Sequence, residues 1–277
     1  MAPTFVVVPQ WQGSISPRAM RLVDGAVAIQ GDLPFSATRL VDVPVEAGDS
    51  LATGVHRFSS IAQVRERHAE VLRGTTDWAL SIGGDCSIAL AAVEHAAREH
   101  PGDLAVVWFD AHPDLHTPES SPSGGFCGMV LRAISGEGPA ELGLSAASSV
   151  PLSNVVLAGI RDVDDAEDVL LNERSLVSVS CSELADPAAL VAAVAKTGAK
   201  RVFVHIDLDV LDPSALEGLS DLIPFGLSVA ELGGAITALR ADFTLAGATI
   251  TGFAPASPEA AGDDLPSILR IIAALAR

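Results

Sequence analysis

The sequence predicts an α/β protein, a three-layer α/β/α sandwich with a mostly parallel central sheet, forming one unit over residues 1–277. Three observations predict it. Short β-branched runs alternate with Ala- and Leu-rich stretches of helical length. The runs are continuously apolar, as strands covered on both faces are. No internal repeat, low-complexity tract or linker longer than a loop interrupts the alternation. Strand, helix, strand in chain order gives parallel strands with helices packed on them.

In order, strands are expected at 5–8, 79–82, 104–109, 155–158 and 202–206, and helices at 61–72, 88–98, 187–195, 229–239 and 266–276. Apolar residues reach 49% and charged residues only 19%, which excludes a disordered or fibrous chain. The net charge is −18, and Lys196 and Lys200 are the sole lysines. Nothing here displaces counterions from nucleic acid or forms a polybasic membrane patch. Part of that negative charge is expected to be local, gathered around a cation.

No run approaches the ~18 apolar residues that cross a bilayer. Residues 1–11 lack the basic start and long apolar run of a signal peptide. Cys86, Cys127 and Cys181 are odd in number and widely spaced, a poor disulfide framework. The expectation is a cytoplasmic protein with a small-molecule substrate and no nucleic-acid or membrane partner.

Ligands of parallel α/β sheets sit beyond the carboxyl ends of the strands, and there the polar residues cluster. The run 79–82 leads into Gly83-Gly84-Asp85-Cys86-Ser87, 104–109 into Asp110-Ala111-His112-Pro113-Asp114, and 202–206 into Asp207-Leu208-Asp209 and Asp212-Pro213. In extended chain, residues i, i+2 and i+4 point the same way. Asp110, His112 and Asp114 therefore converge from one strand end, and Asp207 with Asp209 from another. A lone Asp-x-Asp after a strand reads as a turn or cap; two such clusters at strand ends read as a metal site. So many carboxylates cannot stay ionised together without a cation. A carboxylate-rich, His-poor set favours Mn²⁺ or Mg²⁺ over structural Zn²⁺.

In order and spacing, Gly-Gly-Asp-x-Ser, Asp-Ala-His-x-Asp and Asp-x-Asp-x-x-Asp-Pro resemble the arginase (ureohydrolase) family, from about residue 80 to the C-terminus. The resemblance implies two Mn²⁺ ions sharing a hydroxide that attacks a guanidino carbon. It implies Asp110 and Asp207 bridging the ions, Cys86 and Asp114 completing one site, and His112 and Asp209 the other. Asp114 also suits a proton carrier to the leaving amine. Residues 114–124 look like the arginase loop that binds the α-carboxylate, with His116 in place of an Asn and Ser123 kept. Residues 159–167 are similar to the segment that binds the α-ammonium, through Asp164 and Glu167. The plainer reading of that segment is a helix N-terminus rich in acids.

Three departures concern the reacting end. Cys86 stands for a metal-binding His, Cys127 for a proton-shuttling His, and Gly252 for a Glu that pairs with the guanidinium. Mn²⁺ prefers hard ligands, so the Cys86 site is expected to hold its ion weakly; the alternative is a small buried hydrophobe. The shuttle falls to Cys127 or His116. Without a partner at Gly252, a guanidinium would lie unpaired in a desolvated pocket. Nω-Hydroxy-L-arginine, a much weaker base, suits the site better, and the chain looks like the family branch that releases L-ornithine and hydroxyurea from it in D-cycloserine biosynthesis, an antibiotic pathway. An ordinary arginase or other ureohydrolase, or an inactive amino-acid-binding relative, stay open as alternatives. The resemblance also suggests a homo-oligomer, and one or two bound ions. His56, His68, His95 and His100 are expected at the surface or on helix faces, His205 as a buried structural residue, the tryptophans in the core, and Ser87 as a helix cap.

Overall fold

The computed structural model describes residues 3–276. Met1, Ala2 and Arg277, part of the expected unit, lie outside the described residues. The chain runs β1 (Thr4–Val7), α1 (Arg21–Gly31), β2 (Thr38–Leu40), α2 (Phe58–Arg73), β3 (Ala79–Ile82), α3 (Ala89–Glu99), β4 (Leu104–Phe109), α4 (Val130–Ile134) and β5 (Val155–Ala158). It continues through α5 (Asp165–Glu173), β6 (Val177–Val179), α6 (Cys181–Leu184), α7 (Pro187–Ala195), β7 (Arg201–Asp207), α8 (Val229–Asp242), β8 (Thr244–Thr251) and α9 (Pro258–Ala276). The strands form one sheet in the order β2-β1-β3-β8-β7-β4-β5-β6, every pair parallel.

Alternation along each strand divides the core in two. Ala105, Val107 and Phe109 of β4, with Val202, Val204 and Ile206 of β7, pack against α7, α8 and α9. Leu104, Val106 and Trp108, with Phe203, face α2, α3 and α4. Both faces are covered, so the strands are continuously apolar in sequence while each side chain still points one way. The four central strands β3, β8, β7 and β4 all end at the same edge.

Several elements depart from the sequence expectation. β8 reads TLAGATIT, in which Gly and Ala dilute the β-branched signal, yet it pairs on both sides, with β3 and β7. β2 and β6 are three-residue edge strands, too short to show a period. α9 starts at Pro258 and contains Pro266, where the sequence suggested a start; Pro266 lacks only its own N–H donor within an otherwise amphipathic helix. Asp85 caps the turn after β3 by accepting from Ser87 N–H at 2.9 Å, so Ser87 is the capped residue and not the cap.

His68 is also a correction. It lies on the inward side of α2, 1% exposed, with Nε2 2.9 Å from Ser81 Oγ on β3. Burial, with a smaller contribution from His95, lowers its pKa to about 3. The unfolded chain therefore binds a proton below pH 6.5 that the folded chain refuses, and stability falls as pH drops from 6.5 toward 3. Urea unfolding at pH 7.5 and 5.5 is expected to show the parent losing about 1.4 kcal/mol more than His68→Gln over that interval. Equal losses would place the titrating group elsewhere.

Candidate functional site

The shared edge of β3, β8, β7 and β4 opens into a cleft of about 280 Å³. Asp110 follows β4, Asp207 ends β7, Asp209 lies in the next 3-10 turn, and Cys86 opens the turn after Gly83-Gly84. Local hydrogen bonds turn each segment inward. Asp110 Oδ1 accepts from His112 N–H at 2.7 Å and Asp207 Oδ1 from Asp209 N–H at 3.0 Å. These Asx turns bring the second acidic or imidazole group of each motif round to the first. Asp209 Oδ1 accepts from Ala111 N–H at 3.0 Å, tying the two strand ends together.

The cleft thus gathers Cys86, Asp110, His112, Asp114, Asp207 and Asp209. The four carboxylates are each at most 5% exposed. His112 Nδ1 lies 3.3 Å from Asp110 Oδ1 and 3.1 Å from Asp209 Oδ2. Asp114 adopts φ 53°, a left-handed conformation that Asp tolerates better than most residues, and its buried Oδ2 has no partner among the described residues. Burial, then repulsion from Asp209, pushes Asp207 up to about 7. Burial, then Asp110, pushes Asp209 up to about 6, and Asp114 is raised well above the carboxylate range by burial and then Asp110. Burial opposes charge on His112, but its hydrogen bonds to Asp110 and Asp209 outweigh that and raise its pKa.

This donor set fits a hard divalent cation: crowded buried carboxylates, one imidazole and an orphaned oxygen. Ligand atoms of Asp110, His112 and Asp209 lie within 4.8 Å of one another. The half containing Cys86 fits less well. Its Sγ–H donates to Asp207 Oδ2 at 2.8 Å, and burial, then the Asp207 charge, raises the thiol pKa well above its ordinary value. All three cysteines are free thiols. Cys127 lines the same cleft, with its pKa raised by burial and then Asp114.

At the far end, Asp164 Oδ1 caps α5, accepting from Ala166 and Glu167 N–H at 3.1 and 3.2 Å. Its other oxygen lies 2.7 Å from His116 Nε2, with Glu167 Oε2 at 3.8 Å. The plain and the functional readings of Asp164 both hold in geometry, because one oxygen caps and the other faces the cleft. His116, expected beside a carboxylate, instead pairs with the residue expected to meet an ammonium. Ser123 lines the cleft, and its Oγ accepts from Gly125 N–H at 3.2 Å. Gly252 has φ 83°, and a Cβ there would collide with Asp207 Oδ1. Its glycine is required by backbone and by Asp207 together.

Comparison with known proteins decides the family. Residues 13–269 match the model of the arginase family. The chain belongs to that family. An arginase of Staphylococcus aureus is 31% identical over 78% of this chain and 72% of its own length. The N(omega)-hydroxy-L-arginine amidinohydrolase of Streptomyces lavendulae is 27% identical over 95% of this chain and 94% of its own. In fold, the chain matches the arginase of Entamoeba histolytica, solved in complex with L-ornithine, with TM-score 0.85, 21% identity and 99% of each chain covered.

This arginase-family site also uses residues that the sequence motifs do not flag. Trp108 Nε1–H donates to Asp110 Oδ2 at 3.2 Å, and its ring stacks on the fully buried His205 at 3.6 Å. Thr251 Oγ1 reaches Asp207 Oδ2 at 3.2 Å. Arg161 gathers the carbonyls that frame the site: Asp209 O at 2.7 Å, Ile223 O at 2.8 Å, Pro224 O at 2.9 Å and Gly159 O at 3.1 Å. Its place directly after the Gly159-Ile160 strand end was the available signal. A lysine keeps the charge but loses the planar fork. Arg161→Lys is expected to lower unfolding stability by about 2 kcal/mol, read from urea melts; an unchanged midpoint would show that the carbonyls find other donors.

Proposed function

We propose that this chain is a manganese-dependent amidinohydrolase that cleaves the guanidino C–N bond of an arginine-like amino acid, with Nω-hydroxy-L-arginine as preferred substrate and L-ornithine and hydroxyurea as products. The observation that carries it is the group of four buried carboxylates, Asp110, Asp114, Asp207 and Asp209, with the partly exposed His112, in a cleft that also holds Asp164 and Glu167. Asp110, His112, Asp114, Asp207 and Asp209, with Cys86 beside them, would hold the metal. A metal bound there lowers the pKa of water toward neutrality, supplying the strong nucleophile that a delocalised guanidine needs.

The residues then divide the work. An entering amino acid brings an ammonium to Asp164 and Glu167 and a carboxylate to His116 and Ser123, replacing the internal His116–Asp164 contact. That fixes the chain of the substrate so that its guanidine carbon lies at the carboxylate cluster. Asp114, with an oxygen free of other partners, takes the proton of the attacking water and gives it to Nδ as the C–Nδ bond breaks. Cys127 and His116 line the route by which protons reach solvent. Gly252 itself contributes no side chain to the guanidine end, because Asp207 Oδ1 occupies the space of a Cβ. The Streptomyces relative named as a hydroxyarginine amidinohydrolase aligns over nearly the whole chain.

Purified protein loaded with Mn²⁺ is expected to release ornithine from hydroxyarginine at least tenfold more efficiently than from arginine, a difference of about 1.4 kcal/mol in transition-state binding. Faster release from arginine would overturn the preference, and release from neither would favour an inactive binding relative. Cys86→His replaces a protonated thiol with an imidazole ligand. Elemental analysis is expected to show more Mn²⁺ per chain in that variant; an unchanged count would put the weakness of that half elsewhere.

A further inference from the structure

Beside Gly252, the cleft contains a carboxylate that the mechanism above leaves without work. Asp221 lines the cleft together with Cys86, Asp114 and Gly252, and it makes no hydrogen bond or ion pair among the described residues. Its segment is nevertheless fixed. Leu219 faces Phe253 across an isolated antiparallel bridge, which sets Ser220 opposite Gly252, and Ser220 N–H donates to Gly252 O at 2.8 Å. Arg18 donates to Ser220 O at 2.9 Å. On the other side, Arg161 donates to Ile223 O at 2.8 Å. A two-residue span, Asp221-Leu222, is thus held between anchored neighbours beside the position that carries no side chain.

We propose that Asp221 is a specificity-determining residue, the carboxylate that accepts hydrogen bonds from the guanidine end of the substrate in place of a side chain at Gly252. The assignment rests on the amidinohydrolase reading of the same cleft. Gly252 cannot carry a side chain, because its left-handed backbone disfavours one and Asp207 Oδ1 occupies the space a Cβ would need. Asp221, one residue past Ser220, lines the same cleft as Gly252, Cys86 and Asp114, so its carboxylate borders the space that Gly252 leaves without a side chain. Asp221 also shares the cleft with Cys127 and Asp207, and it is exposed in the free protein. A hydroxyguanidine offers N–H and O–H donors to such a group, whereas a ligand ending in a methyl offers none.

The test uses two ligands that share an amino-acid head and differ at the far end. KM for Nω-hydroxy-L-arginine and the inhibition constant of L-norvaline are measured on the Mn²⁺-loaded parent, Asp221→Asn and Asp221→Glu. Should turnover be absent, dissociation constants for the same pair come from calorimetry. Asp221→Asn is expected to weaken hydroxyarginine at least tenfold, the loss of a charge-assisted hydrogen bond, and to leave norvaline within twofold, with Asp221→Glu recovering part of the loss. An Asn variant that binds hydroxyarginine like its parent, or that weakens both ligands equally, overturns the assignment while the amidinohydrolase reading stands. A parent protein that takes neither ligand overturns that reading and the assignment with it.

Discussion

Four buried carboxylates lining one cleft are the constraint on which the rest of this molecule depends. Isolated, such a group is costly: burial and mutual repulsion push Asp207 to about 7 and Asp209 to about 6. The fold supports the arrangement because parallel strands deliver their carboxyl ends to one edge. Asx turns at Asp110 and Asp207 then hold the oxygens with backbone N–H groups. Arg161 binds the carbonyls behind them, and Trp108 and Thr251 donate from below. Each of these groups leaves the carboxylates positioned and still short of positive charge, which is the condition for holding a divalent cation.

Seen from the cleft, the two ends have different characters. One end is self-paired, with His116 against Asp164 and Glu167, the contacts that the proposed amino-acid head group would replace. At the end proposed to react, Gly252, Asp207 and Cys86 are packed together. Gly252 makes room for Asp207 to sit close to the backbone, and Asp207 in turn accepts the thiol proton of Cys86. Restoring a single family residue at Gly252 would therefore meet both a left-handed backbone and a misplaced Asp207. Specificity at this end is a property of the group, and the neighbouring Ser220-Asp221 segment is part of it.

The sequence made the architecture and the carboxylate motifs legible for a common reason: both are local patterns. Continuous apolar runs mark covered strands, and Asp110-x-His112-x-Asp114 with Asp207-x-Asp209 mark strand ends that turn back on themselves. β8 escaped because its alternation of Gly, Ala and Thr resembles no strand until β3 and β7 are on either side of it. His68 was misplaced because an imidazole on a helix says nothing of which face is buried, and its partner Ser81 lies on another element. The His116–Asp164 contact joins residues far apart in sequence, so two segments read separately as head-group binders carried no sign that they meet. Arg161 and Trp108 act through partners brought in by the fold, and Asp221 is placed by the fold alone, on a segment of its own beside Gly252.

The account stands most directly on whether the buried cluster takes up a divalent ion as part of the folded state. An ion that binds only the native chain raises the unfolding temperature with its concentration. Thermal melts of chelator-treated protein across increasing Mn²⁺, alongside Asp110→Asn, give the answer without any turnover. A midpoint that climbs with Mn²⁺ in the parent and stays flat in the variant is the predicted result. A parent whose midpoint ignores Mn²⁺, while the chain remains folded, would contradict it.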